Sequence, residues 1–146
     1  VPRLESWHGD EGMSYTYSGI SMQAKPWTEE LLEIKHSIEP IVETTFNSVL
    51  INFYRDGKDR VAWHSDDEKE LGENPVIGSV SLGAKRRFKL RHKRYKENQL
   101  SHEITLNNGS LLLMSGATQH NWLHEIPRTA KPIGPRINLT FRVIKQ

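Results

Sequence analysis

From Ser48 onward the chain is a series of short β runs, and that pattern narrows the folds open to it. Eight runs rich in apolar and β-branched residues occupy 49–54, 60–64, 76–82, 87–91, 103–106, 110–114, a piece near 122–124, and 136–143. Gly, Asn and Pro turns separate them, Asp56-Gly57 closing the first. Asn107-Asn108-Gly109 is a strong hairpin signal. One helix precedes the runs. Pro26 and Thr28 open it, and Leu31, Ile34, Ile38, Ile41 and Val42 recur at spacings of three and four. Pro40 is expected to kink or divide it. The first 25 or so residues are loop-rich, with Tyr15-Thr16-Tyr17 as a short extended piece. About eight short strands after a helical segment predict an α+β chain built on a double-sheet jelly roll. Such a roll has a mouth between its sheets where side chains of several strands converge.

The 146 residues suit one domain, 1–146, with the jelly roll at about 46–146. No internal repeat or linker divides it. No apolar run approaches the roughly 18 residues of a transmembrane helix. Val1-Pro2-Arg3 carries no signal-peptide pattern. The chain has no cysteine, which excludes disulfides and thiolate metal sites. An intracellular protein is expected, cytoplasmic or nuclear according to source, with no membrane partner. Any transition metal must use His, Asp or Glu.

Charge is unevenly spread. Lys85, Arg86, Arg87, Lys89, Arg91, Lys93, Arg94 and Lys96 hold eight of the 20 Lys and Arg within twelve residues that contain no acid. The other 12 face 18 Asp and Glu. One basic strip on an acidic body is the footprint of a polyanion binder, although a solvated strand and loop has the same composition.

His64-Ser65-Asp66 places an imidazole and a carboxylate on one side of a strand end. With one more histidine they can occupy one face of an octahedral iron and leave three positions open. Seven histidines offer several partners. His92 lies in the basic strip and His102 at a polar strand start. His120 and His124, four apart, are not separated by spacing alone.

The last run carries the other signal. Arg136, Asn138, Thr140 and Arg142 alternate onto one face, while Leu139, Phe141 and Val143 take the other and should pack in the core. Arginines on an interior face demand anions. A planar guanidinium suits a carboxylate, such as the far one of 2-oxoglutarate. Asn52 and Tyr54 share a face of an early strand and can donate to the same acid. A structural Arg–Asp pair with Asp66 is the competing role for one arginine.

The run Asn52-x-Tyr54, His64-x-Asp66-x-Glu68, His124 and Arg136-x-Asn138-Leu139-Thr140-Phe141-Arg142 resembles the AlkB family of Fe(II)- and 2-oxoglutarate-dependent nucleic-acid dealkylases. Pro2-Arg3, Tyr15-Thr16-Tyr17-Ser18-Gly19 and Lys25-Pro26-Trp27 are similar to that family's base-recognition lid, here about 1–27. The resemblance spans Pro2 to Val143. It favours His124 over His120, and implies iron bound by His64, Asp66 and His124. It implies Arg136 on the C5 carboxylate of 2-oxoglutarate with Tyr54 and Asn138, and Asn52 and Arg142 around the C1 end and the metal face. Tyr17 would stack on a flipped base, Tyr15 and Arg3 would belong to the lid, and Glu68 would lie near the damaged edge. Lys85, Arg86 and Arg87 would hold phosphates.

The implied reaction uses Fe(II), 2-oxoglutarate and O2. It demethylates N-alkylated bases such as N1-methyladenine and N3-methylcytosine in DNA, and in RNA by extension, releasing formaldehyde and succinate. The substrate is single-stranded, or duplex with the base flipped, and the enzyme is monomeric. Trp7 and Met13 are the available candidates for a wedge into duplex. Two other readings stand: an oxygenase acting on protein or a small molecule, and a non-catalytic nucleic-acid-binding domain.

Overall fold

The computed structural model describes residues 2–17 and 20–145, with the Tyr17 side chain outside the described set. Strands β1 (Leu4–Gly9), β2 (Ser14–Tyr17) and β3 (Ile20–Gln23) precede helix α1 (Glu29–Val42). Strands β4 (Ser48–Tyr54), β5 (Val61–His64), β6 (Ile77–Gly83) and β7 (Arg86–His92) follow, then the single turn α2 (Tyr95–Asn98). Strands β8 (Ser101–Leu106) and β9 (Ser110–Met114), the turn α3 (Thr118–Asn121), and strands β10 (Trp122–Ile126) and β11 (Arg136–Arg142) complete the order. The eight expected runs are β4 to β11, with ends shifted by one or two residues.

A five-stranded sheet in the order β1-β4-β11-β6-β9 faces a four-stranded sheet, β5-β10-β7-β8, and β2 and β3 form a separate hairpin. All strand pairs within the two sheets are antiparallel. This is the expected jelly roll. Two expectations are corrected. Residues 4–9 are not lid but the edge strand of the large sheet, with Leu4 opposite Phe53 and Gly9 opposite Ser48. Asn107-Asn108-Gly109 turns the chain but closes no hairpin, because β8 pairs with β7 and β9 with β6. The turn carries the chain from one sheet to the other. Gly109, at φ +78°, gives its N–H to the Ser81 carbonyl of β6 at 2.7 Å.

Alternation on β11 divides the interior in two. Leu139 and Phe141 face away from the mouth and pack with Val49 and Val80 under Leu31 and Ile38 of α1. Trp27 stacks on Phe141 with ring centroids 6.3 Å apart, and its indole N–H reaches Asp10, so it is part of the helix packing rather than of a lid. Between the sheets Tyr54, Ile77, Phe88, Leu106, Met114 and Ile126 form the second core. Trp7, Met13 and Tyr15 make a third with Leu71 and Ile144. Trp7 and Met13 are therefore buried and cannot serve as wedges.

Helix α1 begins where Thr28 Oγ1 accepts the Leu31 N–H at 3.2 Å, with Glu29 and Glu30 at the positive end of the dipole. Pro40 does not divide it: the chain stays helical to Val42 and stops with Glu43 in the left-handed region. Among the described residues no helix is long and apolar enough to cross a membrane.

Candidate metal and co-substrate site

The cavity between the sheets has a volume of about 530 Å³, within the range of small-ligand sites. Strand register assembles its polar end. His64 at the end of β5 stands directly opposite His124 of β10, and their rings lie 4.2 Å apart. Asp66 follows two residues beyond His64, its Oδ1 3.9 Å from His64 Nε2. One ligand atom from each of His64, Asp66 and His124 lies within 4.8 Å of the others. His120 sits on α3, exposed and outside this group.

The protonation states suit a metal. His64 Nδ1 lies 2.8 Å from the Ala62 carbonyl; as a donor there it leaves Nε2 free for the site. Burial, with His64 beside it, pushes His124 down to about 4, so its ring is neutral. Its Nδ1 is buried without a protein partner. Burial opposes the Asp66 charge, but Arg142 and the two imidazoles outweigh it and hold the carboxyl below its usual range. Arg142 Nη2 reaches Asp66 Oδ1 at 3.1 Å. Arg142 is thus the arginine that pairs with Asp66, and it does so beside the metal face.

Arg136 has no such partner. It is 2% exposed and donates one bond, from Nη2 to Ser81 Oγ at 2.9 Å. Its Nε and Nη1 are buried with no acceptor. Its guanidinium lies 5.1 Å from the Tyr54 ring centroid. Buried donors without a protein acceptor are costly unless a ligand or solvent accepts from them. A carboxylate is the group that fits a cationic fork with two free N–H donors. Asn138 lies two residues along the same face, fixed by Ser79 Oγ at 2.7 Å, and Thr140 in turn donates to Asn138 Oδ1 at 2.8 Å. Chemistry and placement therefore fit iron at the triad and an acid at Arg136.

Asn52 is a cavity wall residue engaged by Arg3, whose Nε donates to Asn52 Oδ1 at 3.0 Å. Tyr15 and Glu68 meet across the cavity. Burial, then the neighbouring Glu68, pushes the Tyr15 hydroxyl up, so it stays protonated as a donor to that carboxylate. Glu68 keeps a second buried oxygen, Oε2, without a partner. The expected role of Tyr17 falls on a side chain outside the described residues.

The phosphate-holding role expected of Arg86 is corrected. On β7, Arg86 and Phe88 are buried while Arg87 between them is exposed. Arg86 is 4% exposed and packs 5.4 Å from the Tyr54 ring, with Nη2 bonded to the carbonyls of Asp59 and Pro127, each at 2.8 Å. It is structural and out of reach of a polyanion. Arg87 lies 3.5 Å from Glu103, Lys93 3.9 Å from Asp67, and Arg94 2.8 Å from Glu97. Lys89 stands in register between Glu103 and Glu125. Strands β8 and β10, the loop after β5 and the turn α2 supply the acids that the strip itself lacks. Lys85 is exposed.

Sequence reasoning missed Ser79 and Ser81, which fix Asn138 and Arg136. Two serines at period two within an apolar run were the available signal. It also missed Gln119, 2% exposed, whose Oε1 accepts the Asp66 N–H at 2.8 Å. Nothing in the sequence around Gln119 marks that contact.

Residues 3–142 match the family model described as the 2OG-Fe(II) oxygenase superfamily, and the chain belongs to that superfamily. Among its relatives is the mouse alpha-ketoglutarate-dependent dioxygenase alkB homolog 3, 47% identical over 98% of this chain and 52% of that protein. The human DNA oxidative demethylase ALKBH2 is 42% identical over 99% of this chain and 57% of that protein. These names agree with the AlkB resemblance drawn from the triad and arginine motifs. The chain spans about half the length of the curated relatives it matches. The solved structure of OsALKBH1, at 19% identity, superposes with a TM-score of 0.70 over 97% of this chain and 78% of that one, a likeness of fold.

Proposed function

We propose that this chain is the catalytic domain of an Fe(II)- and 2-oxoglutarate-dependent oxygenase that demethylates N-alkylated bases in DNA, and in RNA by extension. The observation that carries the reading is the cavity's pairing of a His-Asp-His triad with a buried arginine that has two donors without a protein acceptor. The names of the relatives, a dioxygenase and a DNA oxidative demethylase, support the substrate class.

Iron held by His64, Asp66 and His124 would supply, with 2-oxoglutarate and O2, the oxidising power that hydroxylates an N-methyl carbon, which then leaves as formaldehyde. The chain's residues do the positioning. Arg136, with Tyr54 and Asn138, binds the far carboxylate of the co-substrate. Arg142 keeps Asp66 charged, and Gln119 holds its backbone. Tyr15 and Glu68 present an aromatic face and a negative edge, which favour a cationic methylated ring over the neutral base. Tyr17 adds the stacking face. The substrate is single-stranded nucleic acid, or a duplex from which the base is flipped. The enzyme acts as a monomer.

The test is a mass spectrum of a single-stranded oligonucleotide bearing one N1-methyladenine or N3-methylcytosine, incubated with protein, Fe(II), ascorbate and 2-oxoglutarate. Loss of one methylene mass is expected, absent without 2-oxoglutarate and in His64→Ala. Succinate without that loss would assign a different substrate; neither product would leave a binding domain.

A further inference from the structure

A second cleft, of about 670 Å³, is lined by Pro2, Lys58, Asp59, Arg60 and Arg128. Its three cations have no ion-pair partner among the described residues. Arg60 Nε is also buried without an acceptor. Asp59, the acid in the lining, is already taken. Arg55 donates to Asp59 Oδ2 from Nε at 2.7 Å and to Oδ1 from Nη2 at 3.0 Å. The cleft therefore presents cationic charge that no ion pair among the described residues answers.

The cluster is preorganised. Its residues come from two loops, 55–60 and 127–131, bound to each other by several contacts. Arg86 ties the carbonyls of Asp56, Asp59 and Pro127 together. Thr129 N–H donates to the Gly57 carbonyl at 2.9 Å, and Arg128 Nε to the Lys58 carbonyl at 3.2 Å. A Cβ on Gly57 would stand 2.6 Å from the Thr129 carbonyl oxygen, so only glycine allows this approach.

The cleft shares a wall with the cavity. Arg60 N–H donates to the Pro2 carbonyl at 2.8 Å and Arg3 Nη1 to the Arg60 carbonyl at 3.2 Å, while Arg3 and Val61 both line the main cavity. A strand whose base enters the cavity and whose sugar-phosphate backbone leaves on this side meets the cleft's cations. Cations that meet those phosphates release counterions and gain affinity from doing so. In the basic strip that starts on β7, Arg86 is buried and Arg87, Lys93 and Arg94 are paired with acids, so half of its charge is already engaged, which makes it the weaker candidate for that contact.

We propose that Lys58, Arg60 and Arg128 form the backbone-phosphate site of the substrate strand, next to the nucleotide whose base occupies the cavity. This rests on the dealkylase reading. The test is fluorescence anisotropy of a labelled single-stranded oligonucleotide bearing one N1-methyladenine, with the Fe(II)- and 2-oxoglutarate-loaded protein held without oxygen, between 50 and 200 mM NaCl as is usual for salt titrations. Changing all three residues to Gln flattens the log-affinity against log-salt slope by about 2, at about 0.7 per phosphate contact on a single strand. Lys58→Gln alone, on an exposed side chain, flattens it by about 0.7. The comparison variant, Arg87→Gln with Lys89→Gln and Lys93→Gln, changes it less than the cleft triple. An unchanged slope in both cleft variants, or a larger loss in the strip variant, overturns the proposal. If the wild type demethylates the oligonucleotide and the cleft variants keep its slope, the cleft assignment alone falls. If the wild type neither binds nor demethylates it, the dealkylase reading falls and takes the cleft with it.

Discussion

Two buried arginines six residues apart on one strand have opposite chemical situations. Arg142 is held by Asp66, and removing it leaves a buried carboxylate facing two imidazoles. Arg142→Ala should therefore destabilise the metal-free protein by about 3–5 kcal/mol, read from urea denaturation. Arg136 has no carboxylate partner among the described residues, so Arg136→Ala leaves no buried acid unpaired. It should raise the 2-oxoglutarate requirement far more than the oligonucleotide requirement in steady-state kinetics. Equal effects on both would make it a structural or phosphate-binding residue. Asp59 gives a pH signature away from the site. The hydrogen bond from the Arg55 side chain holds its carboxyl at about 2, against an ordinary value of 3.8. The stability it adds is present above about pH 4 and disappears as pH falls toward 2. Asp59→Asn removes this dependence, so the gap in urea midpoint between wild type and variant should close over that interval.

At the level of elements, β11 carries both the anchor and the core, one on each face. Phe141 is completely buried beneath Trp27 and against Phe46. Phe141→Ala should cost about 3–5 kcal/mol by the transfer and cavity contributions of a large aromatic. Because its neighbours Thr140 and Arg142 face the site, the same change should weaken 2-oxoglutarate binding, measurable by calorimetry. The alternation of β11 was readable directly, since a two-residue period sorts Arg136, Asn138, Thr140 and Arg142 from Leu139 and Phe141. The α1 start was equally plain from Thr28 and its acidic first turn. Other elements were hidden. Strand β1, LESWHG, is half exposed at the sheet edge and lacks a clean alternation, so it read as loop. The basic strip misled because charge along a chain does not report which acids the neighbouring strands bring alongside.

On the scale of the whole molecule, the site exists only when both sheets are in place: β5, the loop after it and β10 supply the metal ligands, and β4, β6 and β11 the acid pocket. Legibility follows from this. Residue types that must meet, His with His-x-Asp and Arg with carboxylate, could be listed from sequence because their chemistry is unusual in a buried strand. The partners that fix them, Gln119, Ser79 and Ser81, are ordinary residues made important only by register. Ligands that bind this assembled site stabilise all of it. Fe(II) with 2-oxoglutarate at a hundred times its dissociation constant should add about 2.7 kcal/mol, a rise of several degrees in melting temperature, with the 2-oxoglutarate share absent in Arg136→Ala.

The place of β11 in its sheet also bears on how the protein is made. The large sheet runs β1-β4-β11-β6-β9, so β11, the latest of its described strands in chain order, lies in the middle, between two that emerge from the ribosome some 55 to 90 residues earlier. Until residue 142 is available, β4 and β6 have unpaired edges toward each other and no bridge between them. Those edges invite pairing with other chains, a hazard that a partner binding exposed strands can shield. The domain closes in one late insertion of high contact order, on the millisecond-to-second scale of non-local β folds. That same insertion delivers Arg136 and Arg142 to the cavity, so a nascent chain gains its anion site and its fold in a single event.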